Sequence, residues 1–329
     1  MKYIQTIFLL MLFTVSAFAQ ESNLSNSNDS MQIKQELYFK WLAEKFSQTR
    51  KLNISYNNYG STNFKTYFKE NYLGKNEIEN THDVSVNINL DVLKKKKWKL
   101  TYSGYYNYQN FEYDSNTSLV SNPELHYLSS AFSITYFSVL NKKPIIYNAS
   151  LIADASGEMF GRIKGLVSAT YVLKADKKSV LTIGLGATID PTNPFPVFPI
   201  VTYTKPIFNG KWRLDMVLPA KIMLQTQLGQ TGRVSLGSEL GTSSTYFKDN
   251  QIVNFANKFE FRQTHIKSGI TYEYLLKNKI VLTAKAGVLN VIRSRVSEKG
   301  ESFSDNNYLL EFKPTTAPYI NLGVSFNPF

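Results

Sequence analysis

Between Gly165 and Asp190 the side chains alternate with a period of two, twice over. Val167, Ala169, Tyr171 and Leu173 share one side and Ser168 and Thr170 the other, up to the charged turn Ala175-Asp176-Lys177-Lys178. Then Leu181, Ile183, Leu185, Ala187 and Ile189 oppose Thr182, Gly184, Gly186 and Thr188. Such alternation over about ten residues is a strand with one apolar and one polar or small face. One hairpin of this kind fits a soluble sandwich. A chain built of them, after an export signal, reads as a transmembrane β-barrel.

The amino terminus supplies that signal. Met1-Lys2 precedes an apolar run from Ile4 to Phe18, and Ala17-Phe18-Ala19 ends it, so a leader over residues 1–19 is expected to be cut after Ala19. The chain holds no cysteine, which excludes disulfides, thiolate metal sites and a lipid-modified cysteine after the leader. Past residue 20 no apolar run reaches the length of a membrane helix. The net charge of +12 gathers in turns such as Lys94–Lys97, Lys142-Lys143 and Lys177-Lys178. In an exported chain this points to lipid headgroups or solvent, not to nucleic acid.

Residues 20–48 differ from everything that follows. Glu21–Ser30 is Asn- and Ser-rich, a polar lead-in. In Met31–Gln48, Ile33, Leu37, Trp41, Leu42 and Phe46 recur at helical spacing, with Asp29 and Gln32 spaced like a capping box. A short amphipathic helix is expected, at the periplasmic mouth of the barrel or partly inside it.

Residues 49–329 then read as the barrel. Strand patterns recur at Leu52–Tyr56, Val84–Val92, Trp98–Tyr108, Phe132–Tyr136, Ile145–Leu151, through the opening hairpin, and on to Tyr319–Phe329, giving about 14 strands in a range of 12–16. Asn257–Leu276 is irregular: Phe259 and Phe261 sit on one parity, Ile270, Tyr272 and Tyr274 on the other. Either a bulge near Thr264–Ile266 in one long strand or a second hairpin would explain this. Short turns alternate with longer connections at Tyr59–Asn80, Tyr113–Leu125, Ala153–Arg162, Asp190–Pro196, Lys248–Val253 and Ser294–Pro318. An outer-membrane barrel shows this asymmetry, and an even strand number places both termini at the periplasmic end. Leu218-Pro219 is the one tight outer connection in this series.

Alternation alone does not separate a membrane barrel from a sandwich. Strand length, 46 aromatic residues, and Trp98, Tyr147, Trp212 and Tyr274 near strand ends favour an up-and-down antiparallel barrel with interfacial girdles. The last strand alternates Ile320, Leu322, Val324 and Phe326 and closes on Phe329, with Pro328 interrupting the pattern. This ending resembles the carboxyl-terminal strand by which the barrel assembly machinery recognises bacterial outer-membrane proteins. Phe198–Pro219 and Ser268–Arg295 resemble an uncharacterised outer-membrane barrel domain family of the Bacteroidota, over about residues 50–329. That resemblance implies location and no activity.

The faces opposite the apolar stripes collect Lys99, Arg213, Asp215, Arg233, Glu239, Lys258, Glu260, Arg262, Glu273 and Lys285. Charges toward lipid are costly, so these are expected to face the lumen. There they could set the selectivity of a pore, or pair and fill the bore. His82, His126 and His265 are the only histidines, and His126-Tyr127-Leu128-Ser129 alone puts one near a serine, without the surroundings of the lipid A deacylases it faintly resembles. No catalytic, cofactor or metal residue is assigned. The reading is an outer-membrane barrel acting as a small passive channel for solutes. The alternatives are a closed barrel with a structural or surface-interaction role, or a membrane-embedded lipid hydrolase.

Overall fold

The computed structural model describes residues 30–113, 124–157, 159–176, 179–190, 192–193, 196–248, 258–276, 279–302 and 307–326, with side chains from Gln35 onward. The leader, Asp29 of the expected capping box, and Phe329 lie outside the described residues. One helix, α1 (Ser30–Lys45), precedes sixteen strands in the described residues. They are β1 (Leu52–Tyr59), β2 (Thr62–Phe68), β3 (Asn71–Lys94), β4 (Trp98–Tyr113), β5 (Glu124–Leu140), β6 (Lys143–Ser156), β7 (Met159–Ala175) and β8 (Val180–Ile189). There follow β9 (Val197–Ile207), β10 (Trp212–Leu218), β11 (Lys221–Leu228), β12 (Gly232–Lys248), β13 (Lys258–Leu276), β14 (Ile280–Glu298), β15 (Leu310–Pro314) and β16 (Ala317–Phe326).

From β2 to β15 each strand pairs antiparallel with the next, and β1 closes the ring between β3 and β16, with Leu52 opposite both Ile88 and Phe326. β2 continues β1 along β3, and β15 precedes β16 along β14, so two wall positions are each built from a broken strand. The wall is thus a closed antiparallel barrel of 14 strands. Closure removes every unpaired edge, which hydrocarbon would not tolerate. No described helix is long and apolar enough to cross a membrane.

The outward face is the apolar one. Leu151, Ile163, Leu185, Leu236, Ile270 and Leu322 are all at least half exposed, and Ser150, Lys164, Gly186, Ser235, Thr271 and Asn321, one residue along on their strands, face inward. Aromatic rows bound this belt. Trp98 meets Tyr136 at 4.2 Å and Tyr136 meets Tyr147 at 6.2 Å at the end holding the termini. At the loop end, Tyr56 Oη lies 2.7 Å from His82 Nδ1 and Tyr106 Oη 2.9 Å from His126 Nδ1. Such a belt belongs in a bilayer. Leu322→Arg is expected to cost about 2–4 kcal/mol in denaturant unfolding from vesicles, because it places a charge against acyl chains. Ser168→Arg, on the inner face, is expected to cost far less.

Three of the expected connections change, at Tyr59–Asn80, Ser294–Pro318 and Ala153–Arg162. Tyr59–Asn80 is largely the β2–β3 hairpin, and Ser294–Pro318 contains the end of β14 and all of β15. Ala153–Arg162 is a tight turn between β6 and β7. Asn257–Leu276 holds a single strand, and the register shift at Thr264/His265 leaves Ile292 of β14 as the extra residue. Phe259 and Phe261 need no bulge in their own strand: they point inward above the bilayer, against Val296, Leu309 and Phe312.

The wall is uneven at the loop end. β10 and β11 have only 7 and 8 residues and meet at Leu218-Pro219-Ala220. β12 therefore loses its β11 partner beyond Glu239, and β7 has no β8 partner before Gly165. The upper half of β12 comes against β5, β6 and β7, and Glu260 of β13 meets Arg162 of β7.

Candidate functional site

Two clusters bridge the bore, one toward each end, and the fold assembles them from distant parts of the chain. From the strand spacing and tilt, a wall of this size has a backbone radius of about 14 Å. Inward side chains leave a bore that a helix about 10–12 Å across largely fills.

At the end holding the termini, α1 sits in that bore. Tyr38 and Phe39 pack on Phe137 of β5 at 5.6 and 5.9 Å, and Lys99 of β4 lies over the Phe39 ring at 3.5 Å. On the far side, Lys45 pairs with Asp215 of β10 and donates to Thr204 Oγ1 of β9 at 3.0 Å. Lys221 of β11 donates to the Lys45 carbonyl. Burial pushes the Lys45 ammonium below its ordinary pKa, against the pull of Asp215. Arg50, just past the helix, donates to the Ala43 carbonyl at 2.9 Å, to Ser325 Oγ at 2.7 Å and to Glu273 Oε1 at 2.6 Å. Arg233 holds the other Glu273 oxygen and the Glu44 carbonyl. Thus α1 and Arg50 touch the wall from β4 and β5 round to β16. Among the described side chains of the helix, Gln35, Ala43 and Lys45 are buried, whereas Leu37 of the expected apolar stripe is 59% exposed. The helix thus meets the wall with aromatic and polar side chains together.

At the loop end, the β12–β13 hairpin leans across the bore. Tyr246 shares the parity of lipid-facing Leu236 and Leu240, yet it is 2% exposed and donates to Asp154 of β6 at 3.1 Å. Asp154 also receives Tyr127 Oη at 3.1 Å, the Arg162 backbone N–H at 2.8 Å and Lys164 Nζ at 2.6 Å. Arg162 of β7 in turn pairs with Glu260 of β13 and donates to Asp190 Oδ1 at 3.1 Å. Arg262 closes the cluster, reaching Glu260 at 2.6 Å and Thr192 Oγ1 at 2.8 Å. The opposite face of the hairpin packs Phe247, Phe259 and Phe261 on Val296, Leu309 and Phe312. One face is held by charge, the other by apolar packing.

Burial alone would raise the Asp190 carboxyl, but hydrogen bonds from Thr192 and the charge of Arg162 hold it below the usual value. A carboxylate depressed in the folded state contributes stability above its unfolded pKa, about 3.9, and that contribution is lost as pH falls through the folded value. The latch is therefore expected to weaken only below about pH 4. Acidifying the loop side of a bilayer below that value should raise the open fraction, with no change between pH 5 and 8.

The ten charges singled out from sequence fall into several groups. Asp215, Arg233 and Glu273 meet α1 or Arg50, and Lys99 covers Phe39 while pairing with Asp91 at 2.8 Å. Glu260 and Arg262 join the latch. Glu239 pairs with Lys285 at 2.8 Å between the two obstructions, and Arg213 donates to Gln225 at 2.9 Å. Lys258 is exposed at the start of β13. Sequence reasoning does not single out Lys45, Arg50, Asp154, Arg162 or Asp190, whose ion-pair partners lie 28 or more residues away except for Lys164, the near partner of Asp154. The hydrolase reading loses its geometry. His126 shares the outward parity of Leu128, whereas Ser129 is on the inner face opposite Asp154, so the two lie on opposite sides of the wall. His82 binds Tyr56 and faces Glu112 at 3.4 Å, and His265 is on the inner parity of β13 with Lys267.

Residues 36–327 match the family model described as Domain of unknown function (DUF6268). The chain belongs to that family. Its sequence matches no curated protein. Among solved structures, the DUF6268 barrel is similar to an outer membrane channel from Pseudomonas putida F1, with 12% identity, TM-score 0.39, and coverage of 84% of this chain and 94% of that one. A Pseudomonas aeruginosa FadL homologue is 8% identical, TM-score 0.41, over 84% and 90% of the two chains. The P. putida toluene transporter TodX is 10% identical, TM-score 0.31, over 84% and 89%. Likenesses this distant do not transfer a substrate.

Proposed function

We propose that this DUF6268 protein is a channel of the outer membrane for small polar solutes, held shut by α1 at one end and by the β12–β13 hairpin at the other. The reading includes export through a leader cut after Ala19, insertion by the barrel assembly machinery through the strand ending at Phe329, and a cell of the Bacteroidota type. No catalytic step is part of it.

The observation that carries it is the inner surface of β5–β8. Ala131, Ser133, Ser150, Ser168 and Gly184 face the bore there, and these side chains are too small to fill the interior in front of them, while Phe198 of β9 covers Gly186. Toward the end holding the termini, α1 packs on this wall at Phe137 and is otherwise held chiefly by ion pairs and hydrogen bonds that water can replace. The remaining wall presents both signs of charge, which suits polar solutes over apolar ones. The test is conductance in planar bilayers. The intact protein is expected to open rarely, in discrete steps, and chains released at both ends frequently. An ion-tight bilayer with both ends released would reject the channel. The experiment would then favour the second reading, a closed barrel presenting its β2–β3–β15 extension to the surroundings.

A further inference from the structure

The extension formed by β15, β2 and β3 stands above the apolar belt and carries an arrangement that does not stabilise the fold. Lys313 of β15 is directly opposite Lys65 of β2, and Lys65 is directly opposite Lys75 of β3. Directly opposed residues share a face with Cβ atoms about 5 Å apart, and like charges so placed repel. All three lysines are exposed. They point away from the apolar interior, because Phe64 and Phe312, of the other parity, pack together at 5.8 Å. Nearby carboxylates do not neutralise the row. Glu311 is taken by Arg295 at 2.7 Å and touches Lys313 alone, at 3.2 Å. Glu77 accepts from Ser61 at 2.6 Å. Among the described residues Lys65 and Lys75 have no ion pair.

Two neighbours narrow the class of anion. Tyr67 lies beside the row, opposite Tyr72 with ring centroids 5.6 Å apart, and Lys313 sits 4.7 Å from the Tyr67 ring centre. An aromatic shelf beside three cations suits a phosphorylated sugar, with the ring under the sugar face and the ammonium groups on phosphate. The row also adjoins lipid. Ile292 of β14 is 60% exposed, three residues before Arg295, which is opposite Glu311. Below the row are Tyr56 of β1 and His82, seven residues beyond Lys75 on β3, both of the aromatic girdle. An anion bound here stands on the outer side of that girdle, where the saccharide part of an outer-leaflet glycolipid extends.

We infer that Lys65, Lys75 and Lys313, with Tyr67 and Tyr72, form a site for the phosphorylated saccharide headgroup of an outer-leaflet glycolipid. The inference rests on the barrel's place in the outer membrane and is independent of whether it conducts. Lipid then supplies the counter-charge that the fold omits, and the extension is anchored to the leaflet around it.

The test uses the full mature chain, purified in micelles and examined by native mass spectrometry with added lipid A, dephosphorylated lipid A, or inorganic phosphate. The wild type is expected to retain lipid A. The K65Q/K75Q/K313Q triple variant should lose about tenfold or more in occupancy, and dephosphorylated lipid A should bind as weakly. A charge-matched control, K95Q/K96Q/K97Q in the β3–β4 turn, should bind like wild type. Melting adds a signature that a structural role would not give: the triple variant should melt above wild type in lipid-free micelles, where repulsion is relieved, and below it with lipid A. Should the triple variant not fold, K65Q alone is expected to show the same changes of sign at smaller size. Unchanged lipid A occupancy in the lysine variants, equal loss in the turn control, or displacement of lipid A by millimolar inorganic phosphate would overturn the assignment. The last result would make this a site for free phosphate.

Discussion

Glu260→Gln is expected to raise the open fraction of the loop end about a hundredfold, recorded in planar bilayers on chains lacking residues 21–48 so that only the latch limits current. Glu260 holds Arg162 on one oxygen and Arg262 on the other, and its side chain is 1% exposed against 11% and 10% for theirs. Removing one partner of a buried charge network costs about 3–5 kcal/mol, because the remaining charges stay buried without compensation. At 1.4 kcal/mol per factor of ten, the lower end of that range gives about two decades. Opening the hairpin hydrates both guanidinium groups, so the loss falls on the closed state. Arg162→Gln should act in the same direction. The double variant should fall short of the sum, since both substitutions remove the same contact. Purely additive effects would mean that the pair does not hold the hairpin.

Deleting residues 21–48 carries the second large effect. α1 is held by Lys45 on Asp215, by Lys221 and Arg233 on helix carbonyls, and by Phe39 under Lys99. None of these contacts belongs to the strand ladder, so the barrel is expected to form without them. The deleted chain should show frequent discrete openings where the intact chain is nearly silent, and at least a tenfold higher time-averaged current. Asp215→Asn, which loosens only the Lys45 end, should lie between the two. Equal silence with and without α1, in the E260Q background, would show that the wall's own side chains fill the bore.

The barrel itself is written locally. Val84–Val92 and Leu181–Ile189 alternate because one side meets lipid and the other water, and that pattern needs no knowledge of partners. The count of about fourteen follows from such segments. β2 and β15 are hidden for the same physical reason. Above the bilayer neither face needs to be apolar throughout, so Phe64 and Phe312 alternate with Lys65 and Lys313 and read as loop. The latch is illegible for another reason. Arg162 and Glu260 are 98 residues apart, and they meet only because β10 and β11 are short enough to let β12 lean over. The tight Leu218-Pro219 connection is the trace of that shortness in the sequence, but nothing local says what crosses the gap.

The most direct test of a hydrated bore closed at both ends uses the absence of cysteine from this chain. Ser168→Cys, on the inner face of β7 opposite Asn148 and Gly186, would be its only thiol. A bulky membrane-impermeant thiol reagent is predicted to leave it unmodified from either side in the intact chain. The same thiol should react from the periplasmic side when residues 21–48 are removed, and from the outside in the E260Q chain. A thiol that reacts only with lipid-soluble reagents, or stays unreactive with both ends released, would contradict the account.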